Sequence, residues 1–148
     1  MRNKLLVLNL ILFAGISLTA TAGNSWITNF EEAKKAATDR HLPIFAYFSK
    51  SDTSKECMRF DAIVLQKPEF QNLASSSLVL FQLDLPRDQQ SLPEEIKKRN
   101  DALIQNYGIS SYPTVLLLNS KGEIIATINY DKGGAEKFVE TLRKAIGK

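Results

Sequence analysis

Apolar positions recur along the chain at two spacings, which predict alternating helices and strands. Apolar residues three or four positions apart form one helix face, and this spacing predicts helices over 29–40, from 54 to 67, from 68, over 93–106 and over 135–146. Continuous apolar runs bounded by turn residues predict buried strands over 43–48, 78–85, 114–118 and 123–128. Strands separated by helices favour parallel pairing, and a hairpin at 119–122 adds an antiparallel edge. The pattern predicts an α/β fold, with a mixed central sheet of four to five strands and helices on both faces.

Polar residues predict where several of these elements begin and end. Thr28 and Glu31 have the spacing of a capping box, with Thr28 as the N-cap of the first helix. The serines at 75–77 indicate a loop, and Gly108 indicates a helix end. Ser54 is expected to be the N-cap of the second helix, where a serine contributes about 1 kcal/mol.

The first 22 residues have the pattern of a secretory signal peptide. Two basic residues near the start precede a largely apolar stretch over 5–18, and Ala-Thr-Ala at 20–22 fits a cleavage site. The stretch is short for a membrane span, and an uncleaved anchor is the alternative. We expect a signal peptide over 1–22, one domain over 23–148, a periplasmic or secreted location, and membrane contact only through the signal peptide before cleavage.

Charge and composition do not favour a nucleic-acid partner. The chain has 19 Lys and Arg residues against 16 Asp and Glu residues. Without the two basic residues of the predicted signal peptide, 17 remain against 16, and no basic stripe interleaved with aromatic residues stands out. The sequence also has no cluster of histidine and cysteine that would indicate zinc or haem. We therefore expect no metal and no cofactor.

Cys57 is the only cysteine, and it follows Ser54 by three residues at the point where an apolar strand gives way to a helix. A strand, a short loop and a helix that opens on Cys-x-x-Cys are typical of a redox-active dithiol. Here serine occupies the first position. One cysteine cannot form an internal disulfide, and a leftover cysteine in an exported protein indicates intermolecular pairing or a reactive thiol.

Two segments resemble the thioredoxin superfamily. Residues 107–115 are similar to its Tyr-Gly-Ile/Val … Pro-Thr signature, and residues 48–61 resemble the branch of exported bacterial thioredoxin-like proteins with a Ser-Asp-Trp-Cys-x-x-Cys motif. The matching positions are Ser51, Asp52, Cys57 and Asp61. The resemblance covers nearly all of the predicted domain. It implies a thioredoxin fold of the thiol-disulfide oxidoreductase family.

The same resemblance implies a role for the loop before the third predicted strand. In the family, the proline that corresponds to Pro113 follows a cis peptide bond and faces the active site. This arrangement would expose the backbone of Tyr112 beside Ser54, where it could pair with an extended peptide as a strand edge does. We therefore expect a substrate-binding surface formed by Tyr112 and Pro113 together with Asp52 and Thr53.

The departures from the motif bear directly on function. Thr53 stands at the tryptophan position, Ser54 at the nucleophilic cysteine, and Lys55 and Glu56 at the two middle positions. Disulfide exchange needs an attacking thiolate and a second thiol for resolution, and Ser54 supplies neither. A hydroxyl is a poor nucleophile without an adjacent base, and His41, the only histidine, is expected at the far end of the first strand.

Three hypotheses remain open from the sequence. The leading one is an exported thioredoxin-fold protein with a degenerate Ser-x-x-Cys site, which binds exported thiol or disulfide-containing proteins or extended peptides without dithiol turnover. The second is a monothiol disulfide reductase or isomerase that acts through Cys57 with an external resolving thiol. The third is a redox-silent interaction module, such as a Cys57-linked dimer. They differ in whether Cys57 is a packed core thiol or an accessible one.

Overall fold

Every helix and strand expected from the apolar spacing is present in the computed structural model, which describes residues 25–147. The predicted signal peptide over 1–22 lies outside the described residues. The helices are α1 (Phe30–Arg40), α2 (Lys55–Phe60), α3 (Pro68–Ser77), α4 (Glu94–Asn106) and α5 (Gly134–Ala145). The strands are β1 (Ile44–Ser49), β2 (Val79–Asp84), β3 (Thr114–Leu118) and β4 (Ile124–Thr127). A π-helical turn (Asp61–Leu65) continues α2, and a 3-10 turn (Gln89–Ser91) precedes α4.

The four strands form one mixed sheet in the order β2-β1-β3-β4. β1 pairs with β2 in parallel, from Ile44 opposite Val79 to Ser49 opposite Asp84. β3 is antiparallel to both of its neighbours, β1 and β4. The predicted fold class is confirmed.

The expectation of parallel pairing is wrong for β3. The hydroxyl of Tyr107, just after α4, donates to the carbonyl of Gly122 in the hairpin that follows β3. The ring of Tyr107 also packs against Phe48, near the end of β1, with centroids 6.0 Å apart. Thr114 pairs with Phe48, so β3 starts at the end of the sheet where β2 finishes and runs in the other direction.

Helices cover both faces of the sheet because the side chains of the strands alternate between the two faces. On one face, Phe45 and Tyr47 pack in a core with residues of α2, its π-helical turn, α3 and α5. On the other, Ile44, Ala46 and Phe48 pack against α1 and α4. Within residues 25–147, no helix is long and apolar enough to cross a membrane.

Two local predictions are corrected by the structure. The N-cap of α1 is Asn29, not Thr28: the Asn29 side chain accepts hydrogen bonds from the backbone N–H groups of Glu31 and Glu32. Both residues are good caps, but Asn29 directly precedes Phe30, whose burial fixes the start of the helix. The serines at 75–77 extend α3 instead of forming a loop, and the hydroxyls at 75 and 76 bond back to the carbonyl of Asn72.

Candidate functional site

Ser54 begins α2, at the end of the sheet where β1 finishes. Its backbone is extended and its hydroxyl oxygen accepts the N–H of Cys57 at 3.2 Å, which confirms the expected N-cap. The hydroxyl also donates to a carboxylate oxygen of Glu56 at 3.3 Å. The hydroxyl is thus committed to helix capping, and its proton lies beside a carboxylate of the same turn.

His41 does not approach this serine. It caps the C-terminus of α1 just before β1, whereas Ser54 follows the other end of that strand. A six-residue strand spans about 20 Å. A Ser–His nucleophile pair is therefore absent from the site.

Cys57 is the third residue of α2, and only 1% of its surface is exposed. Its sulfur accepts the backbone N–H of Lys50 at 3.5 Å, and the phenol of Tyr47 lies nearby. Burial, reinforced by the nearby Cys57, holds the pKa of Tyr47 far above its usual range. This environment favours the packed-thiol interpretation. It disfavours a Cys57-linked dimer, because a linking disulfide needs a sulfur that another molecule can reach.

Tyr112 and Pro113 lie beside this thiol, in the loop before β3, and the peptide bond between them is cis. Both side chains are half-buried. The ammonium nitrogen of Lys50 lies 4.6 Å from the centre of the Tyr112 ring, and burial, with a smaller contribution from the nearby Cys57, raises the pKa of Tyr112. The structure thus brings Ser54, Cys57 and the Tyr112–Pro113 loop to the same end of the sheet.

Asp52 and Thr53 are exposed in the loop between β1 and α2. A carboxylate oxygen of Asp52 accepts the backbone N–H of Arg87 at 2.8 Å, and the N–H of Thr53 donates to the carbonyl of Lys50 at 3.2 Å. The Asp52 contact ties this loop to the segment after β2. The predicted substrate contacts of both residues stay predictions.

Asp84 is a site residue that sequence reasoning missed. Its carboxylate accepts the hydroxyl of Ser49 at 2.6 Å, and the N–H and hydroxyl of Ser51 at 2.8 and 2.6 Å. Gln82 donates to the Ser49 hydroxyl at 3.0 Å. The available signal was the polar end of β2, in parallel with the serines at the end of β1. Asp84 thus fixes the start of the loop that leads to Ser54.

A groove of about 390 Å³ lies next to the Tyr112–Pro113 loop, between α2 and the chain that follows β4. We call it the site groove. Its lining residues are Glu56, Arg59, Phe60, Ser111, Pro113, Thr114, Val115, Thr127, Ile128, Asn129, Tyr130 and Lys132. Neither in this groove nor elsewhere among residues 25–147 is there a group of three or more His, Cys, Asp or Glu side chains that could hold a metal ion.

Comparison with known proteins places this geometry in context. Residues 30–146 match the sequence model of the thioredoxin-like domain. The chain is 26% identical over 127 residues to the disulfide bond reductase DsbH of Chlamydia pneumoniae, a match that covers 86% of this chain and 75% of that protein. It is 28% identical over 94 residues to the thioredoxin-related protein DsbJ of the same organism, across 64% of this chain but only 27% of DsbJ.

Solved structures agree with the sequence matches. The structure of a DsbH oxidoreductase superposes with a TM-score of 0.78 at 26% identity, over 86% of this chain and 88% of that one. The thioredoxin-like match over residues 30–146 includes α2 and the loop before β3.

Proposed function

Because the chain belongs to the family of thioredoxin-like domains, we propose that it binds thiol-containing proteins or extended peptides after export, without completing a dithiol cycle. The observation that carries this proposal is the state of the Ser-x-x-Cys pair. The Ser54 hydroxyl caps α2, and Cys57 is 1% exposed. Neither group offers an attacking thiolate at the surface, and a dithiol cycle needs two thiols.

The binding surface of this proposal is the Tyr112–Pro113 loop. Among the residues that the structure describes, the backbone N–H of Tyr112 has no hydrogen-bond acceptor. An unpaired backbone group beside a strand can bond to an extended peptide by strand addition. Asp52 and Thr53, exposed on the neighbouring loop, would border the bound peptide.

The proposed compartment is the periplasm or the extracellular space. The pattern of residues 1–22, with a basic start, an apolar stretch and an Ala-Thr-Ala cleavage site, supports export. The similarity to a protein named disulfide bond reductase supports partners that carry thiols or disulfides. N-terminal sequencing of the mature protein should start at residue 23, and a start at Met1 in the purified protein would contradict a cleaved signal peptide.

Two measurements test the proposed function. In insulin reduction with a dithiol reductant, the wild type should be no faster than Cys57→Ala, and turnover above this control would contradict the loss of dithiol chemistry. In an NMR titration with an extended peptide that carries a blocked cysteine, the amide signals of Tyr112 and its neighbours should shift. If they stay unchanged at saturating peptide, the binding surface is wrong.

A monothiol reductase or isomerase is the second candidate, and the contact of the Lys50 N–H with the Cys57 sulfur favours it. In that reaction, the Cys57 thiolate attacks one sulfur of a substrate disulfide and the other sulfur leaves as a thiolate that takes up a proton. An external thiol then attacks the Cys57 sulfur of the mixed disulfide and releases the second substrate sulfur as a thiol. A second external thiol attacks the first one, so that the two leave as a disulfide and Cys57 returns to a thiol. Alkylation of Cys57 in the folded protein would support this candidate. Alkylation only after unfolding would exclude it.

A further inference from the structure

We propose that the site groove selects peptides with an acidic side chain two residues from an apolar one, through Arg59 and Lys132. This inference rests on the proposed peptide-binding function and names its partner more closely. The selectivity comes from charges in the groove, whereas peptide attachment comes from the backbone of Tyr112. The two can therefore be tested separately.

The groove is continuous with the proposed peptide surface. Ser111 and Pro113 flank Tyr112 in the chain and both line the groove. A peptide that pairs with the Tyr112 backbone would place alternate side chains on the same side of its strand, and those side chains lie over the groove. A volume of about 390 Å³ falls within the range of small-ligand sites, about 300–1,000 Å³.

The charges that line the groove are unbalanced. Arg59 and Lys132 are exposed cations, and among residues 25–147 neither has an ion-pair partner. The acid next to Lys132 in the chain, Asp131, pairs instead with Lys137 at 2.5 Å, and this pairing lowers the pKa of Asp131. Glu56, the acid of the groove, accepts the hydroxyl of Ser54 at the start of α2. The lining thus has two cations against one anion.

The floor of the groove is apolar. Phe60, Val115 and Ile128 are buried beneath it, and Pro113 and Tyr130 are half-buried at its sides. The rings of Phe60 and Tyr130 pack with centroids 5.4 Å apart. An apolar side chain on this floor would lie beside a carboxylate held by the two cations. Because alternate residues of the peptide face the groove, this combination of contacts favours an acidic residue two positions from an apolar one over a basic or uncharged residue there.

The test uses three short fluorescent peptides that differ at one position. Each is extended, has valine at its centre, and carries glutamate, glutamine or lysine two positions from the valine, on the same face of the strand. Dissociation constants come from fluorescence anisotropy at low and at high salt. The glutamate peptide should bind about three- to tenfold tighter than the glutamine peptide, as two exposed ion pairs allow, and the lysine peptide should bind most weakly. High salt should reduce the difference.

Two double variants test whether the preference for the glutamate peptide comes from the cations of the site groove. The double variant Arg59→Gln with Lys132→Gln should bind the glutamate and glutamine peptides equally. The matched control, Lys98→Gln with Arg143→Gln, removes the same charge from exposed positions of α4 and α5 and should keep the preference. Thermal unfolding confirms that both variants are folded.

The outcomes separate the two proposals. If all three peptides bind the wild type equally, the acid preference is wrong while peptide binding stands. The same holds if the control variant loses the preference as fully as the groove variant. If none of the peptides binds, the proposed peptide-binding function fails, and the inference fails with it.

Discussion

Ser54→Cys should give this chain an intramolecular disulfide with Cys57. The Ser54 side chain already contacts the backbone of Cys57, since its oxygen lies 3.2 Å from the Cys57 nitrogen. Residues three apart at a helix start are neighbours, and disulfides join Cα atoms about 4.4–6.8 Å apart. The new thiol would lie at the amino terminus of α2, where backbone N–H groups and the helix dipole stabilise a thiolate. We therefore expect oxidation to join the two sulfurs within one molecule.

The expected stabilisation by this disulfide follows from the length of the loop that it closes. A cross-link between positions 54 and 57 closes four residues, which the chain-entropy relation converts to about 2 kcal/mol of stabilisation. The variant also loses the oxygen cap, worth about 1 kcal/mol, in both redox states. Comparing the oxidised with the reduced form of the same variant isolates the cross-link. With a urea dependence of about 2 kcal/mol per molar, the midpoint should rise by about 1 M on oxidation.

Intact mass and urea unfolding measure this outcome. Oxidised Ser54→Cys should lose two hydrogens as a monomer and resist alkylation, and the reduced form, maintained by a dithiol reductant, should gain insulin-reducing activity. Ser54→Ala is the control, and its midpoint should not depend on reductant. Linked dimers, or two free thiols after oxidation, would show that the loop between β1 and α2 does not present position 54 to Cys57, and would refute this reading of the site.

Three further predictions concern stability. Ser54→Ala should lower the free energy of unfolding by about 1 kcal/mol, whereas Ser54→Asp should keep most of it as another good N-cap; equal losses in urea unfolding would contradict the capping role. Asp84→Ala should lower the free energy of unfolding by about 2 kcal/mol, because its hydrogen-bond donors lose their acceptor, and should speed proteolysis in the 50–53 loop. The control Asp39→Ala, which removes an exposed ion pair, should lower it by about 0.5 kcal/mol. Equal losses would contradict the role of Asp84 in holding the loop. Burial raises the pKa of Tyr47 above 10.0, so this tyrosine ionises first in the unfolded chain and the free energy of unfolding should fall as pH rises past about 10. Tyr47→Phe should lose less stability than the wild type between about pH 9 and 11, by at most about 1.4 kcal/mol per pH unit. An unchanged pH dependence in Tyr47→Phe would contradict a contribution from Tyr47.

The fold could be predicted from the sequence where local patterns decide it. The face formed by Cys57, Phe60 and Val64 is buried as its helical spacing indicates, and Gly108 adopts the positive φ of a helix end. The direction of β3 was not predictable from these patterns. It depends on where the segment after α4 rejoins the sheet, which the pairing of Thr114 with Phe48 near the end of β1 reveals.

In the candidate site, too, the local contacts could be predicted from the sequence and the long-range contacts could not. The contact of Ser54 with Cys57 joins residues of a single helical turn, so spacing and residue type were enough to predict it. The bonds of Asp84 to Ser51 join residues 33 positions apart, and they depend on the register that pairs Ser49 with Asp84. Sequence patterns do not specify register between distant strands, so these contacts became visible only in the structure.

The bonds that hold the site in place do not involve a thiol at position 54. Asp84 fixes Ser51, Asp52 binds the backbone of Arg87, and Ser54 caps α2 through an oxygen. Serine is among the preferred caps at this position, so its presence removes the attacking sulfur while it supports the helix. Loss of dithiol chemistry is therefore compatible with an intact loop and an intact peptide surface. For this reason Ser54→Cys should add redox chemistry to a site that is already assembled, instead of having to rebuild one.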